Sequence, residues 1–289
     1  MESGIDMNNK IDFFLVGAAK SCTTTLHKIL SVHPAIYVPD KKEINYFSQD
    51  ILRSTRMFGG LPEMSESAYY DLYAGCSTDQ LKGDCSISYL QHEVVAERLY
   101  EHNSNAKIII ALRNPVERAL SHYFMDRRLG LVDIEVEEFI RDKVWFSEFY
   151  HQYIKVSQYS INIAKYRKYF PDENILIIRQ EWMSDQGFVR KKLAEFLKIN
   201  EEGFPAHDIY SNKRKLPRNA IFALLYKSEK LRSLPRILFS DRLYNFFKKL
   251  AFKAEGSPYI NPKSLDLLRK ELGDELKKYE SNVDYFKIS

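Results

Sequence analysis

One lysine and four hydroxyls stand close together in Gly17–Leu26 (GAAKSCTTTL), where Lys20 is followed by Ser21, Thr23, Thr24 and Thr25. Ammonium and hydroxyl groups so grouped can hold an anion, and the flanks say where it would sit. Ile11–Val16, apolar but for Asp12, reads as a buried strand, and Leu26, Ile29 and Leu30 recur at the spacing of a helix's apolar face. The loop between them therefore ends on a helix N-terminus, where free backbone amides and the positive end of the dipole favour negative charge. Gly17, Ala19, Lys20, Ser21, Cys22, Thr23, Thr24 and Thr25 are the expected phosphate cradle. A plainer alternative makes Ser21 or Thr23 an ordinary helix cap.

A second constellation follows another apolar run. Lys107–Leu112 (KIIIAL) suits a central parallel strand, and Arg113 comes directly after it at the strand's carboxyl end. Asn114 can cap and Pro115 can open a helix that carries Ser121 further along, so that Arg113 and Ser121 could face one ligand. Strand ends of this kind are where open α/β sheets take their ligands. As a plain surface pair, Arg113 would only meet a carboxylate. Between the two constellations lies Pro39–Phe47 with Lys41, Lys42 and Glu43, a charge cluster that is either a solvated turn or a reactive one. Gly83–Leu90 brings Asp84, Cys85 and Ser86 close together, with His92 just beyond.

The cradle does not fit the nucleoside-triphosphatase loop, whose lysine comes late, after a second glycine. Lys20 stands behind Ala19, and Cys22 occupies a place where a flexible glycine is expected. The stretch resembles instead the 5′-phosphosulfate loop of sulfotransferases that use 3′-phosphoadenosine 5′-phosphosulfate (PAPS), G-x-x-K-[ST]-G-T-[TS]-x-L. Gly17, Lys20, Ser21, Thr23, Thr24 and Leu26 match it, and Cys22 departs at the second glycine. If that glycine must adopt a positive φ, the cysteine carries a conformational cost.

Arg113–Tyr123 is similar to the same family's R-[ND]-P-x-x-R-x-x-S-x-[YH] segment, which implies that Arg113 and Ser121 bind the nucleotide's 3′-phosphate. A planar guanidinium fork and a hydroxyl suit that group. Lys42–Phe47 resembles the K-E-x-x-[FY]-F element of the carbohydrate and heparan-type branch, which implies that Glu43 is the general base. Lys20 would stabilise the departing bridging oxygen, with Lys42 near enough to influence charge at Glu43. Gly83–Leu90 resembles a further family strand, E-[KS]-[ST]-P-x-Y, bordering the acceptor, so Lys42, Asp84 and Ser86 are acceptor-site candidates. The heparan-type lysine is absent there, its position taken by Cys85, and His92 is no candidate for catalysis. Tyr159–Met183 resembles a family run in which Glu181 holds an architectural acidic position.

The resemblance implies an α/β fold, a three-layer sandwich with a central parallel β-sheet, P-loop NTPase-like, in one sulfotransferase domain over 1–289. It implies PAPS as co-substrate, 3′-phosphoadenosine 5′-phosphate (PAP) as product, no metal, and sulfuryl transfer to a hydroxyl or amine of a small-molecule or carbohydrate (glycan) acceptor. A P-loop nucleotide kinase and a catalytically silent nucleotide-binding module are the competing readings. The strand–helix alternation agrees with such a sheet.

Further strands and helices are legible by the same patterns. Ile175–Ile178 reads as a strand, Ser157–Tyr166 as the start of an amphipathic helix with Ile161 and Ile163 on its apolar side, and Phe188–Leu197 as a helix. Ala206–Asn219, with Lys213, Arg214 and Lys215, reads as a basic loop that can close over a ligand, and residues 218–252 as a helical insertion or cap broken at Pro235.

Composition sets outer bounds. The chain has 289 residues, 45% of them hydrophobic, enough for a sizeable core. Its net charge of +4 suits anionic ligands, while the lack of a long basic stripe with interleaved aromatics argues against nucleic acid. Three cysteines, Cys22, Cys76 and Cys85, form neither a metal spacing nor an even disulfide framework, which fits a reducing cytoplasm. No apolar stretch reaches the length of a membrane span, and Met1–Lys10 is too polar for a secretory signal. The expectation is a cytoplasmic bacterial member of the family or an excised catalytic domain, in secondary metabolism or glycan sulfation, as monomer or homodimer.

Overall fold

The structure is a computed structural model describing residues 10–55, 62–209, 215–217, 252–254 and 260–281. The described residues fall into two compact units, those within Met1–Arg118, Lys155–Ser211 and Asp274–Ser289, and those within Ala119–Ile154 and Asn212–Gly273. The strands are Phe13–Gly17 (β1), Ile36–Tyr37 (β2), Leu81–Asp84 (β3), Lys107–Leu112 (β4), Ile175–Arg179 (β5), Lys215–Pro217 (β6) and Phe252–Ala254 (β7). The helices are Thr23–Ser31 (α1), Gln49–Arg53 (α2), Glu66–Asp71 (α3), Glu93–His102 (α4), Pro115–Leu129 (α5), Val136–Arg141 (α6), Ser147–Tyr153 (α7), Tyr159–Arg167 (α8), Gln186–Leu197 (α9), Pro262–Glu271 (α10) and Gly273–Ser281 (α11).

The first unit is built on a five-stranded sheet in the order β2-β3-β1-β4-β5, every pairing parallel. The centres of β1, β4 and β5 are continuously apolar because both faces of the sheet are covered. Phe14 and Val16 of β1, Ile108, Ile110 and Leu112 of β4 and Ile177 of β5 face one core with Val95, Ala96 and Leu99 of α4 and Ile163 and Tyr166 of α8. Phe13, Leu15, Ile109, Ala111 and Ile178 face the other, against Leu26, Ile29 and Leu30 of α1 and Val189, Leu193 and Leu197 of α9. This is the expected three-layer α/β sandwich. Phe13 and Gly83 are in register across β1 and β3, and a Cβ at Gly83 would lie 2.1 Å from the Phe13 ring, so only glycine lets the two strands approach there.

Some sequence expectations need correction. The strand expected within Gly83–Leu90 stops at Asp84; the chain then turns into a 3-10 segment at Tyr89–Gln91, because the serine hydroxyls and amides beyond Asp84 bond locally or to the Glu43 segment instead of to a neighbouring strand. On α8 it is Asn162 that is buried, donating from Nδ2 to Lys155 O at 3.1 Å, whereas Ile161 is exposed. The basic stretch of 206–219 is not all loop, since Lys215–Pro217 pairs antiparallel with Phe252–Ala254. Lys213, Arg214 and the remainder of the proposed insertion, apart from Phe252, lie outside the described residues.

The second unit contains most of α5 with α6, α7, α10, β6 and β7. Tyr123, Phe139 and Tyr153 supply its aromatic core. Asp126, buried, accepts from Tyr153 Oη at 2.9 Å and from Gln152 Nε2 at 2.7 Å. Ser264 Oγ donates to Glu137 at 2.8 Å and Tyr150 Oη donates to Glu271, tying α10 to α6 and α7.

Candidate active site

The loop after β1 is shaped by three positive φ angles: 148° at Gly17, 73° at Lys20 and 61° at Cys22. Gly17 has no substitute, since a Cβ there would meet the Leu90 Cβ at 2.9 Å. Cys22 precedes α1 in the left-handed region, φ 61° and ψ 15°, and no side chain caps the helix. The conformational cost expected for a cysteine at this place is therefore present, of order 1–2 kcal/mol. Thr25 N and Leu26 N both donate to Cys22 O, at 2.9 and 3.1 Å. The amides of Thr23 and Thr24, in the helix's first turn, have no intrahelical carbonyl to reach. Ser21 Oγ is buried and makes no hydrogen bond of good geometry, the Tyr159 hydroxyl beside it being committed to Arg113 O at 2.8 Å. An uncapped helix start, an orphaned buried hydroxyl and a lysine form a site suited to an anion.

Sheet order puts Glu43 and Arg113 on opposite flanks of this loop, because β3 and β4 are the two neighbours of β1. On the β3 side, Glu43 N donates to Cys85 O at 3.1 Å and Glu43 Oε2 accepts from Ile87 N at 2.9 Å. Lys42 Nζ is ion-paired with Glu43 Oε1. Ile87 in turn abuts the loop, its carbonyl 3.3 Å from where a Gly17 Cβ would be. The Glu43 carboxylate is 31% exposed, and with one amide and one ammonium on its two oxygens it keeps lone pairs for another donor. His27 of α1, its value lowered by burial and bonded to Pro39 O at 3.1 Å, feels the charges of Lys42, Glu43 and Asp40.

Behind Glu43 sits a polar cluster. Asp84 is fully buried and accepts from Ser86 Oγ at 2.6 Å, Tyr89 Oη at 2.8 Å and Tyr69 Oη at 3.0 Å. Burial pushes its carboxyl up to about 6 against these three donors, and the Glu43 charge adds to the rise. Burial pushes the Cys85 thiol up, with Asp84 adding to it.

On the β4 side, α5 begins as the sequence implies: Asn114 Oδ1 accepts from Val116 N at 3.1 Å and Glu117 N at 3.2 Å, and Pro115 is the first helical residue. Arg113 is held by Glu117, which takes its Nε and Nη2 at 3.1 and 3.0 Å. Its charge reaches the cradle: burial raises the Cys22 thiol, Arg113 pulls it down and Glu181 pushes it up. Arg179, at the end of β5, pairs in register with Leu112 and lies 4.3 Å from the Tyr279 ring, while Tyr279 Oη donates to both Glu181 oxygens at 2.8 and 2.6 Å. Glu181 thus ties α11 to the sheet end.

The expected cradle residues, Glu43, Lys42 and Arg113 lie together at the carboxyl end of the sheet. Asp84 and Ser86, expected on the acceptor boundary, are instead fully buried, because their polar atoms are taken up by tyrosines and the Glu43 turn. Ser121 lies half-buried on α5 within the second unit. Tyr159 was not expected near the cradle, where its hydroxyl lies beside Ser21; nothing in a lone tyrosine's sequence neighbourhood marks it. Asn45, with φ 59°, was also missed, although asparagine beside a charged turn is a left-handed signal. Among the described residues no cluster of three or more His, Cys, Asp or Glu could hold a metal ion, and no helix is long and apolar enough to cross a membrane.

Comparison with known proteins gives a consistent result. Residues 10–230 match the family described as Sulfotransferase domain. A crystal structure of a sulfotransferase from Alicyclobacillus acidocaldarius is similar at 26% identity with a TM-score of 0.62, covering 82% of this chain and 99% of that one. The membrane-associated sulfotransferase kil1 of Dictyostelium discoideum is 33% identical over 112 residues, 39% of this chain and 22% of that protein. The human bifunctional heparan sulfate N-deacetylase/N-sulfotransferase 2 is 26% identical over 206 residues, 65% of this chain and 22% of that protein. The human heparan sulfate glucosamine 3-O-sulfotransferase 5 is 26% identical over 169 residues, 57% of this chain and 46% of that protein. The chain therefore spans less than half the length of these curated relatives.

Proposed function

The chain belongs to the sulfotransferase domain family, and from that premise we propose that it moves a sulfuryl group from PAPS to a hydroxyl or amine of a carbohydrate or small-molecule acceptor. The observation that carries this reading is the flanking of one anion cradle by a carboxylate on the β3 side and a guanidinium on the β4 side. A nucleotide phosphorylated at both ends is the ligand such a spacing suits. Its 5′-phosphosulfate falls to the Gly17–Thr25 loop and Lys20, its 3′-phosphate to Arg113; the role of Ser121 rests on its motif alone.

The chemistry then follows from charge. Glu43 takes the proton of the acceptor as the acceptor oxygen or nitrogen bonds to sulfur. The bond from sulfur to the bridging oxygen breaks, and the charge that develops there is met by Lys20 and the α1 N-terminus. PAP leaves with both phosphates intact. Lys42, paired with Glu43, keeps a cation beside the reacting centre. The heparan sulfate enzymes among the relatives support a glycan-like acceptor.

The test combines binding and transfer. Calorimetry with PAP is expected to show metal-independent binding that weakens by about tenfold or more in Lys20→Ala and Arg113→Ala. Labelled donor, incubated with a panel of hydroxylated and amino acceptors, is expected to give transfer by the wild type and a loss of about a hundredfold or more in Glu43→Gln with PAP affinity retained. Magnesium-dependent ATP binding without PAP affinity would identify a kinase instead. Full transfer by Glu43→Gln would remove Glu43 as the base.

A further inference from the structure

We infer that Asp84 is a positioning residue for sulfotransfer: through Ser86 and Asn45 it fixes the turn that presents Glu43 to the acceptor. The inference rests on Glu43 being the base. A serine hydroxyl has one proton, and that of Ser86 goes to Asp84 Oδ1 at 2.6 Å. Ser86 Oγ is left as an acceptor and receives Asn45 N–H at 3.0 Å. The buried carboxylate thereby sets the direction of the whole chain of bonds. Asn45 passes it on, its Nδ2 donating to Glu43 O at 3.0 Å and its Oδ1 accepting from Ser88 Oγ at 2.7 Å. Glu43 N and Oε2 close the circuit on Cys85 O and Ile87 N.

Such an anchor is needed because the turn is strained. Glu43 and Asn45 both have positive φ, 63° and 59°, and glutamate is not among the side chains that favour this region. A conformer of this kind persists only where its surroundings over-determine it. Here the surroundings are residues 84–88, and Asp84 is their buried root, clamped by Tyr69 of α3 and by Tyr89. A base is effective only when held at the right distance from the proton it takes, so loosening this root should slow the reaction without altering how the nucleotide is held.

The groups that face Asp84 bear on its charge. Tyr69, Tyr73 and Tyr89 are held well above the ordinary tyrosine range by burial and stay protonated, the Cys85 thiol stays neutral, and Glu43 with its partner Lys42 lies across Ser86. Asp84 is thus the buried member of the cluster that changes charge in mildly acidic solution, near 6.

The experiment measures transfer against pH at saturating donor for the wild type, Asp84→Asn, Ser86→Ala and Tyr73→Phe, with PAP-binding sites titrated in each. Expected for Asp84→Asn is a kcat per site lower by about tenfold or more, a donor KM within about twofold, and loss of the inflection near pH 6. Ser86→Ala, which cuts the link and leaves Asp84 in place, is expected to lower kcat in the same manner. Tyr73→Phe removes a hydroxyl that donates to Gly83 O and is expected to retain activity. Wild-type kcat per titrated site in Asp84→Asn overturns the inference, whatever Ser86→Ala does. Should Asp84→Asn fail to fold, Ser86→Ala decides alone. An inactive Glu43→Gln beside a fully active Asp84→Asn sinks this inference only, whereas an active Glu43→Gln removes the base on which both readings depend.

Discussion

Asp84→Asn should make the folded protein more stable near pH 8 and slightly less stable near pH 4. The carboxyl stands at about 6 in the folded chain against an ordinary 3.8. Each pH unit between the two values is worth 1.36 kcal/mol, so the ionised group carries roughly 3 kcal/mol that the protonated one does not. Its folded value is the raised one; the stability it lends is fully present below 3.8 and is lost as pH climbs through about 6. An amide cannot ionise and still accepts from Tyr69 and Tyr89, but it turns an NH2 toward Ser86, whose own proton must find another acceptor at a cost of about 1 kcal/mol. The expected net gain near pH 8 is therefore about 1–2 kcal/mol. His102 acts in the opposite sense over an overlapping range. Burial holds it near 4, where it accepts Ile11 N–H at 2.9 Å, so its contribution is present above 6.5 and lost as pH falls through about 4. Only the difference between variant and wild type isolates Asp84. Urea unfolding followed by the fluorescence of Trp145 and Trp182, at steps between about pH 4.5 and 8, supplies it. A difference that stays flat across that range refutes the reasoning, because Asp84 would then ionise in the folded state as it does in the unfolded one.

Two substitutions probe the cradle itself. Cys22→Gly relieves a left-handed cysteine at φ 61° and is expected to raise stability by about 1 kcal/mol, readable as an upward shift in Tm; a fall in Tm would show that the thiol contributes more by packing than its backbone costs. Gly17→Ala sets a Cβ against Leu90 at 2.9 Å in a φ of 148°, and is expected to weaken PAP binding by tenfold or more on calorimetry, of order 1–3 kcal/mol in backbone strain; undiminished affinity would mean that the loop's path is not fixed there.

Much of the first unit could be read from local pattern. The Lys107–Leu112 run is a strand with those same limits, and Leu26, Ile29 and Leu30 do form the buried stripe of α1. Asn114 caps α5 because a short polar side chain before a proline has few other uses. The errors came where polar atoms compete with the periodic signal. Beyond Asp84 the serines and amides bond locally or to the Glu43 turn and end the strand, and on α8 a buried asparagine displaces the isoleucine that hydropathy would have placed inside. β2, with Ile36 and Tyr37 as its whole extent, is too short to carry a periodicity at all.

The candidate site divides in the same way. Lys20, Glu43 and Arg113 announce themselves by residue type and by their place after apolar runs. The burial of Asp84, the one-way hydroxyl chain through Ser86 to Asn45 and the approach of Tyr159 to the cradle do not. By itself the sequence determined a parallel α/β sheet with a loop of lysine and hydroxyls at the end of its first strand, because period, cap and charge are written within a few adjacent residues. Which carboxylate faces solvent and which is buried beneath it was decided only by the tertiary structure, since burial depends on side chains of α3 and the Tyr89 turn that no local pattern joins to Asp84.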